Sequence, residues 1–241
     1  MNEIQSVVFE DWGLIDYQKA WDRQESMLSK NVSIKSEART NGLDTNPLNL
    51  PTEHYLIFCE HPPVYTLGKS GKKENVLLSN EELEEKEISF FQTNRGGDIT
   101  FHGLEQIVGY PILDLEKFYT DIGKYLRHLE EVIILTIAEF GIKGERSDGE
   151  TGVWIDAHIK GKERKICAIG VRCSRWITMH GFALNVNTDL SYFNNIIPCG
   201  IVDKQVTSIE KEIGKKVDSN EVKKILKSKF ELVFGVQLIN R

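Results

Sequence analysis

Residues 165–201 read KICAIGVRCSRWITMHGFALNVNTDLSYFNNIIPCGI, and the rest of the chain is best interpreted outward from them. Two extended runs, KICAIGVR (165–172) and RWITMHGFALNV (175–186), are separated only by Cys173 and Ser174. A third run, GVWIDAHI (152–159), precedes them across the short polar turn KGKER. Connections this short join antiparallel neighbours, so the economical reading is a meander. Lys165 and Cys167 are two apart and leave the same face of one strand. The stretch closes on Pro198-Cys199-Gly200, a bend with little side-chain bulk beside the thiol. A nearby lysine lowers a thiol pKa and makes the nucleophilic thiolate, so Lys165 and Cys199 form a candidate pair. Only a fold that returns the chain can join them.

Upstream lies RGGDITFHG (95–103). Its adjacent glycines allow positive φ and close approach of a ligand to main-chain amides. Arg95 can pair with a carboxylate or phosphate, and His102 can exchange a proton near neutral pH. HYLIFCE (54–60) is a short buried-type strand stopped by His61-Pro62-Pro63, and QIVGYPILDL (106–115) is another strand. Leu14, Tyr17, Ala20, Trp21, Gln24, Met27 and Leu28 recur at helical spacing, as do Ile122, Leu126, Leu129, Ile133 and Ile137, the latter stopping at Gly141. NEELEEKEI (80–88) reads as a charged surface helix, and a last helix spans about Asn220 to Phe234. Residues 31–53 are polar, with Asn-Gly, Asn-Pro and Leu-Pro steps, and read as a surface loop within one domain spanning 1–241. The expected class is α/β or α+β, with a mixed, largely antiparallel sheet packed with helices.

Composition narrows the function. Forty per cent hydrophobic and 27% charged residues are ordinary for a globular enzyme. The net charge of −6 argues against general nucleic-acid affinity, although Lys160, Lys162, Arg164 and Lys165 leave a local basic patch open, as do Lys69, Lys72 and Lys73. No apolar run is long enough to span a bilayer, and the N-terminus lacks a secretory pattern. Cys59, Cys167, Cys173 and Cys199 show no C-x-x-C spacing, so neither a zinc site nor a disulfide framework is expected. These features point to a reduced, cytoplasmic enzyme.

Six motifs, in order, resemble the octanoyltransferases of lipoate biosynthesis: HPPVYTLGKSG (61–71), RGGDITFHG (95–103), GVWI (152–155), KICAIGV (165–171), HGFALNV (180–186) and IIPCGI (196–201). The resemblance implies the lipoate- and biotin-ligase type of fold. It also implies transfer of an octanoyl group from octanoyl-acyl carrier protein to a lysine of a carrier domain. The acceptors would be lipoyl domains of 2-oxoacid dehydrogenases and the glycine-cleavage H protein. Cys199 would carry the acyl thioester, while Lys165 would depress its pKa and act as proton acceptor and donor. Arg95, Gly96, Gly97, Asp98, Ile99, Thr100, Phe101 and His102 would line the acyl and carrier-arm pocket. Ala168, Ile169 and Gly170, with Gly181, Phe182 and Ala183, would complete its walls. No cofactor or metal, no nucleic acid or membrane partner and a monomeric state are expected.

Two positions depart from the family pattern. His102-Gly103-Leu104-Glu105-Gln106 stands where the family usually continues with Pro-Gly-Gln, which adds a negative charge beside the expected pocket. Cys167 stands where a small non-thiol residue is more usual, a rival nucleophile by position, although a buried strand cysteine is usually inert. Two other functions share parts of the pattern. An ATP-dependent lipoate or biotin ligase would use Lys165 on a phosphate without a nucleophilic cysteine. A non-catalytic carrier-binding protein would need neither. The oxyanion donors are left open between the amides around Gly200 and those of the Gly96-Gly97 turn.

Overall fold

The computed structural model describes residues 4–197 and 205–240. Among these, the main sheet runs β12-β1-β2-β6-β10-β9-β8-β7, with β11 added beside β9. Its strands are β1 (Gln5–Leu14), β2 (Tyr55–Glu60), β6 (Gln106–Ile112), β7 (Glu145–Ser147), β8 (Glu150–Ile155), β9 (Arg164–Ser174), β10 (Ile177–Asn185), β11 (Gln205–Val206) and β12 (Val236–Asn240). A small sheet orders β4 (Ser89–Gln92), β3 (Val64–Leu67) and β5 (Ile99–His102) as β4-β3-β5. The expected meander is present: β8, β9 and β10 pair antiparallel, and β10 continues antiparallel onto β6 and β6 onto β2. Parallel pairing enters through β1 with β2 and β12, and through β11 with β9. The mixed, largely antiparallel sheet packed with helices is the architecture expected.

Period-two alternation divides the core between the two faces. On β2, Leu56 and Phe58 face α3 (Ile122–Ala138) and α5 (Ser219–Phe234), which pack on each other. Tyr55, Ile57 and Cys59 face α1 (Tyr17–Thr40). The helices start where side chains cap them: Asp16, Asp121 and Asp218 each accept a main-chain N–H of the first turn. Two short helices, α2 (Asn80–Glu85) and α4 (Ile209–Ile213), complete the set described.

Three expectations need correction. Leu14 does not begin the first helix; it ends β1 and is exposed. The presumed loop from residue 31 is helical through Thr40. Asn31 explains the continuation, because its side chain bonds both the N–H and the carbonyl of Glu53 and straps α1 to the chain leading into β2. The 165–172 run extends to Ser174, and the turn to β10 is Arg175-Trp176, both in left-handed backbone.

Candidate active site

Strand β9 brings Lys165 between two neighbours, with Trp154 opposite on β8 and Val206 opposite on β11. Thr207 N–H donates to the Lys165 carbonyl at 2.9 Å, so the chain beyond β11 is fastened to the lysine's own backbone. The Lys165 Nζ lies 4.5 Å from the centre of the Trp154 ring and 4.0 Å from Glu150 Oε2. Gly152 makes room for this arrangement. Its φ is +122°, and a Cβ there would lie 2.6 Å from the Cys167 carbonyl and 3.5 Å from Lys165 Cε. Buried Glu130 on α3 fixes that backbone by accepting from Gly152 N–H at 3.1 Å, while Arg127 and Arg146 balance its charge. Cys199 and Gly200 lie outside the described residues.

Lys165 opens on a cavity of about 440 Å³. Ala168, Ile169, Gly170, Gly181, Phe182 and Ala183 all line it, as do Arg95, Gly96, Gly97, Asp98, Ile99, Thr100 and His102. Phe101 does not. Alternation along β5 turns its side chain away from Thr100 and His102, and it stacks on Tyr192 at 4.5 Å in the cluster under the small sheet.

Arg95 plays a different part from the anion binder suggested by its type. Its guanidinium donates to the carbonyls of Gly96, Thr66 and Asp98 and to Thr66 Oγ1. It thus pins the 95–98 loop to β3. Gly96 N–H is likewise committed, to Val171 O at 2.8 Å, which removes that amide from the candidate oxyanion donors. Asp98 caps Ile99 N–H and accepts from Asn75.

His102 is held neutral. Thr66 Oγ1 accepts from Arg95 and donates to His102 Nε2 at 3.3 Å, while His102 Nδ1–H donates to Gln106 Oε1 at 3.0 Å. Gln106 passes the direction on to Asn185 Oδ1, and Asn185 Nδ2 to Thr207 O. Burial, with the charge of Arg95 nearby, keeps the His102 pKa well below the usual histidine value. Both ring nitrogens of His102 are engaged within the wall of the cavity. His180 is also buried and neutral, its pKa pushed down to about 3 by burial. Its φ of +59° is unusual for a non-glycine residue, and its Nε2–H donates to Asn94 Oδ1 at 2.8 Å.

The two departures resolve structurally. Glu105 occupies a position with φ +58°, where a glycine would be unstrained. Its N–H donates to Glu60 Oε2, and its carboxylate pairs with Lys216 at 2.9 Å. Glu105 does not line the cavity, so its charge is not beside the pocket; Gln106 is the residue presented there. Cys167 is fully buried, and burial pushes its thiol pKa up, which makes it a poor nucleophile. In the expected basic patch, Arg164 is neutralised by Asp156 and Glu212. Lys69, Lys72 and Lys73 are exposed, and Lys69 N–H donates to Arg95 O at the cavity rim.

Several lining residues carried no local signal. Tyr17 arrives from the first turn of α1 and stacks on His102 with ring centres 5.9 Å apart. Val108 and Tyr110 read only as strand residues, Ile122 and Leu126 only as a helix stripe. His180 stood inside the HGFALNV motif, and Glu150 followed a turn-forming Asp148-Gly149 step; both were legible as types but not as site residues.

Comparison with known proteins matches residues 16–231 to the lipoyl protein ligase A/B catalytic domain. A protein of Christiangramia forsetii named octanoyltransferase is 55% identical over 94% of this chain and 94% of its own length. One of Flavobacterium johnsoniae, with the same name, is 58% identical over 92% of this chain and 94% of its own. The fold is similar to that of the bipartite lipoate protein ligase of Thermoplasma acidophilum, with a TM-score of 0.65 over 98% of this chain and 87% of that one, at 15% identity.

Proposed function

The chain belongs to the lipoyl protein ligase A/B catalytic family, and on that premise we propose that it is an octanoyltransferase of protein lipoylation. It takes the acyl group from octanoyl-acyl carrier protein and delivers it to a lysine of a lipoyl domain or glycine-cleavage H protein. It works in the cytoplasm, as one catalytic domain, without a cofactor.

The observation that carries this reading is Lys165 on the wall of a largely apolar cavity, in a chain more than half identical to octanoyltransferases along nearly its whole length. Cys199 serves as the nucleophile, a role that rests on its Pro-Cys-Gly sequence. The described chain lines the cavity on both sides of that segment, at Phe193 before it and at Val206 after it. Attack by the thiolate on the donor thioester exchanges one C–S bond for another and is nearly balanced in energy. Attack by the acceptor amine then forms a C–N bond, breaks the C–S bond and runs downhill to the amide. Covalent catalysis divides one difficult transfer into these two. Lys165 stabilises the thiolate and moves the proton between the sulfur and the incoming amine. The cavity holds the eight-carbon chain, and the buried hydrogen-bonded wall from Arg95 to Asn185 fixes its shape.

Transfer assayed with octanoyl-acyl carrier protein and a lipoyl domain in the absence of ATP tests the proposal. Octanoylated domain should accumulate. Modification only when ATP and free octanoate or lipoate are supplied would instead make the chain a ligase.

A further inference from the structure

The cavity lining described above contains two carboxylates, Asp98 and Glu150. Asp98 is spent on its own loop, where it accepts from Ile99 N–H at 2.7 Å and from Asn75 Nδ2 at 2.9 and 3.1 Å. Glu150 stands beside Lys165. It is the first residue of β8, directly after the Asp148-Gly149 turn, and it pairs across that turn with Ser147. Gly149 takes φ +80°, which closes the hairpin tightly and sets Glu150 on a regular strand rather than a loop tip. Its side chain is 19% exposed, as is that of Lys165, and its Oε2 lies 4.0 Å from the lysine Nζ.

The second half of the proposed reaction poses an electrostatic problem at this point. The acceptor lysine reaches the enzyme as an ammonium ion, and it must come close to a site that already holds a lysine. Like charges repel strongly in a partly desolvated cavity. The other cation of the lining, Arg95, is held by three carbonyls and a hydroxyl, and the lining histidines His102 and His180 are neutral. Glu150, 4.0 Å from the Lys165 Nζ, is the carboxylate placed to draw in the second ammonium and to receive its proton.

We infer that Glu150 is the acceptor-binding residue: its carboxylate, beside Lys165, receives the substrate amine as an ammonium ion and takes a proton from it. This rests on the acyl-enzyme reading above. The step balances as follows. The ammonium gives one proton to Glu150, which releases it to solvent. The neutral nitrogen attacks the thioester carbonyl, the C–N bond forms and the C–S bond breaks. The nitrogen's second departing proton goes by way of Lys165 to the leaving sulfur. Acyl thioester and ammonium thus yield amide, thiol and one released proton.

The test separates the half-reactions in Glu150→Gln and Glu150→Asp. Full-length enzyme is first charged with octanoyl-acyl carrier protein. The acyl-enzyme is then discharged in single turnover, either onto a lipoyl domain or onto hydroxylamine, which is uncharged at neutral pH. In Glu150→Gln, discharge onto the lipoyl domain should fall by on the order of tenfold or more. Glu150 pairs with Lys165, so charging and discharge onto hydroxylamine can slow too, but each by severalfold less than discharge onto the lipoyl domain, and Glu150→Asp should recover part of the loss. Equal discharge onto the lipoyl domain by Glu150→Gln and wild type overturns the inference. So does an equal slowing of all three steps, which would mean that Glu150 only maintains Lys165. A wild-type enzyme that never charges overturns the underlying reading, and this inference with it.

Discussion

Gly170 on β9 and Gly181 on β10 face each other across the strand pair, and neither position has room for a side chain. A Cβ at Gly170 would lie 2.8 Å from the Gly96 carbonyl and 3.2 Å from Arg95 Nη1; one at Gly181 would collide with the Gly109 backbone. The bare backbone at Gly170 lets the Arg95 loop rest on the sheet, that at Gly181 lets β10 approach β6 closely, and both glycines line the cavity. Gly170→Ala should therefore cost about 1–3 kcal/mol of stability and a far larger share of transfer activity. Urea unfolding beside single-turnover kinetics would show the contrast; full activity in Gly170→Ala would contradict it.

Cys167 is close to Lys165 in sequence, yet its thiol is sealed in the core. Cys167→Ala should still form the acyl-enzyme, with stability lowered by about 1–2 kcal/mol from the small cavity left behind. Loss of the adduct in a folded Cys167→Ala would transfer the nucleophile's role to this residue.

Glu105 sits in left-handed backbone with its carboxylate on Lys216, outside the cavity. Glu105→Gly removes backbone strain but also an exposed ion pair and some restriction of the unfolded chain. Stability should change by less than about 1 kcal/mol, and turnover should not change. A large fall in turnover would mean that the loop carries catalytic geometry which the side chain maintains.

Burial lowers the pKa of His61 to about 4 and of His180 to about 3. In the unfolded chain both titrate near 6.5. The folded values are the lower ones, so the unfolded state binds more protons below about pH 6.5 and stability falls as pH drops toward the folded values, at about 1.4 kcal/mol per pH unit for each histidine. Denaturant midpoints should fall between pH 7 and pH 5, and His180→Gln should fall less steeply. A flat profile in wild type would show that these rings charge without cost.

Lys69, Lys72 and Lys73 are exposed on the loop bonded to the Arg95 carbonyl, whereas Arg164 is already neutralised. An acidic donor carrier should dock on the three lysines. The KM for the carrier should rise with salt, and Lys72→Glu should raise it further at low salt. A KM insensitive to both would place docking elsewhere.

The sequence made the β8–β9–β10 meander, α3 and α5 legible because each buries a full face with its own periodicity. It concealed the second half of α1, where the buried residues are only Asn31 and Ala38 and a solvated face looks like a loop. It also concealed β1, whose partners β2 and β12 lie parallel to it and come from distant parts of the chain. In the site, glycines and a lysine could be read from motifs, since their spacing is local. The commitments of Arg95 and His102 could not, because Thr66, Gln106 and Asn185 come from three separate strands. Residue type suggested an anion binder and a base; in the structure both side chains are engaged in hydrogen bonds to the wall around them.

The central claim is the acyl-thioester on Cys199. Intact-protein mass spectrometry after mixing the chain with octanoyl-acyl carrier protein, without ATP or acceptor, reads it directly. The expected result is the mass gain of one octanoyl group, removed by hydroxylamine, mapped to Cys199 and absent from Cys199→Ala. A Cys199→Ala enzyme that still transfers octanoate at the wild-type rate would contradict the account.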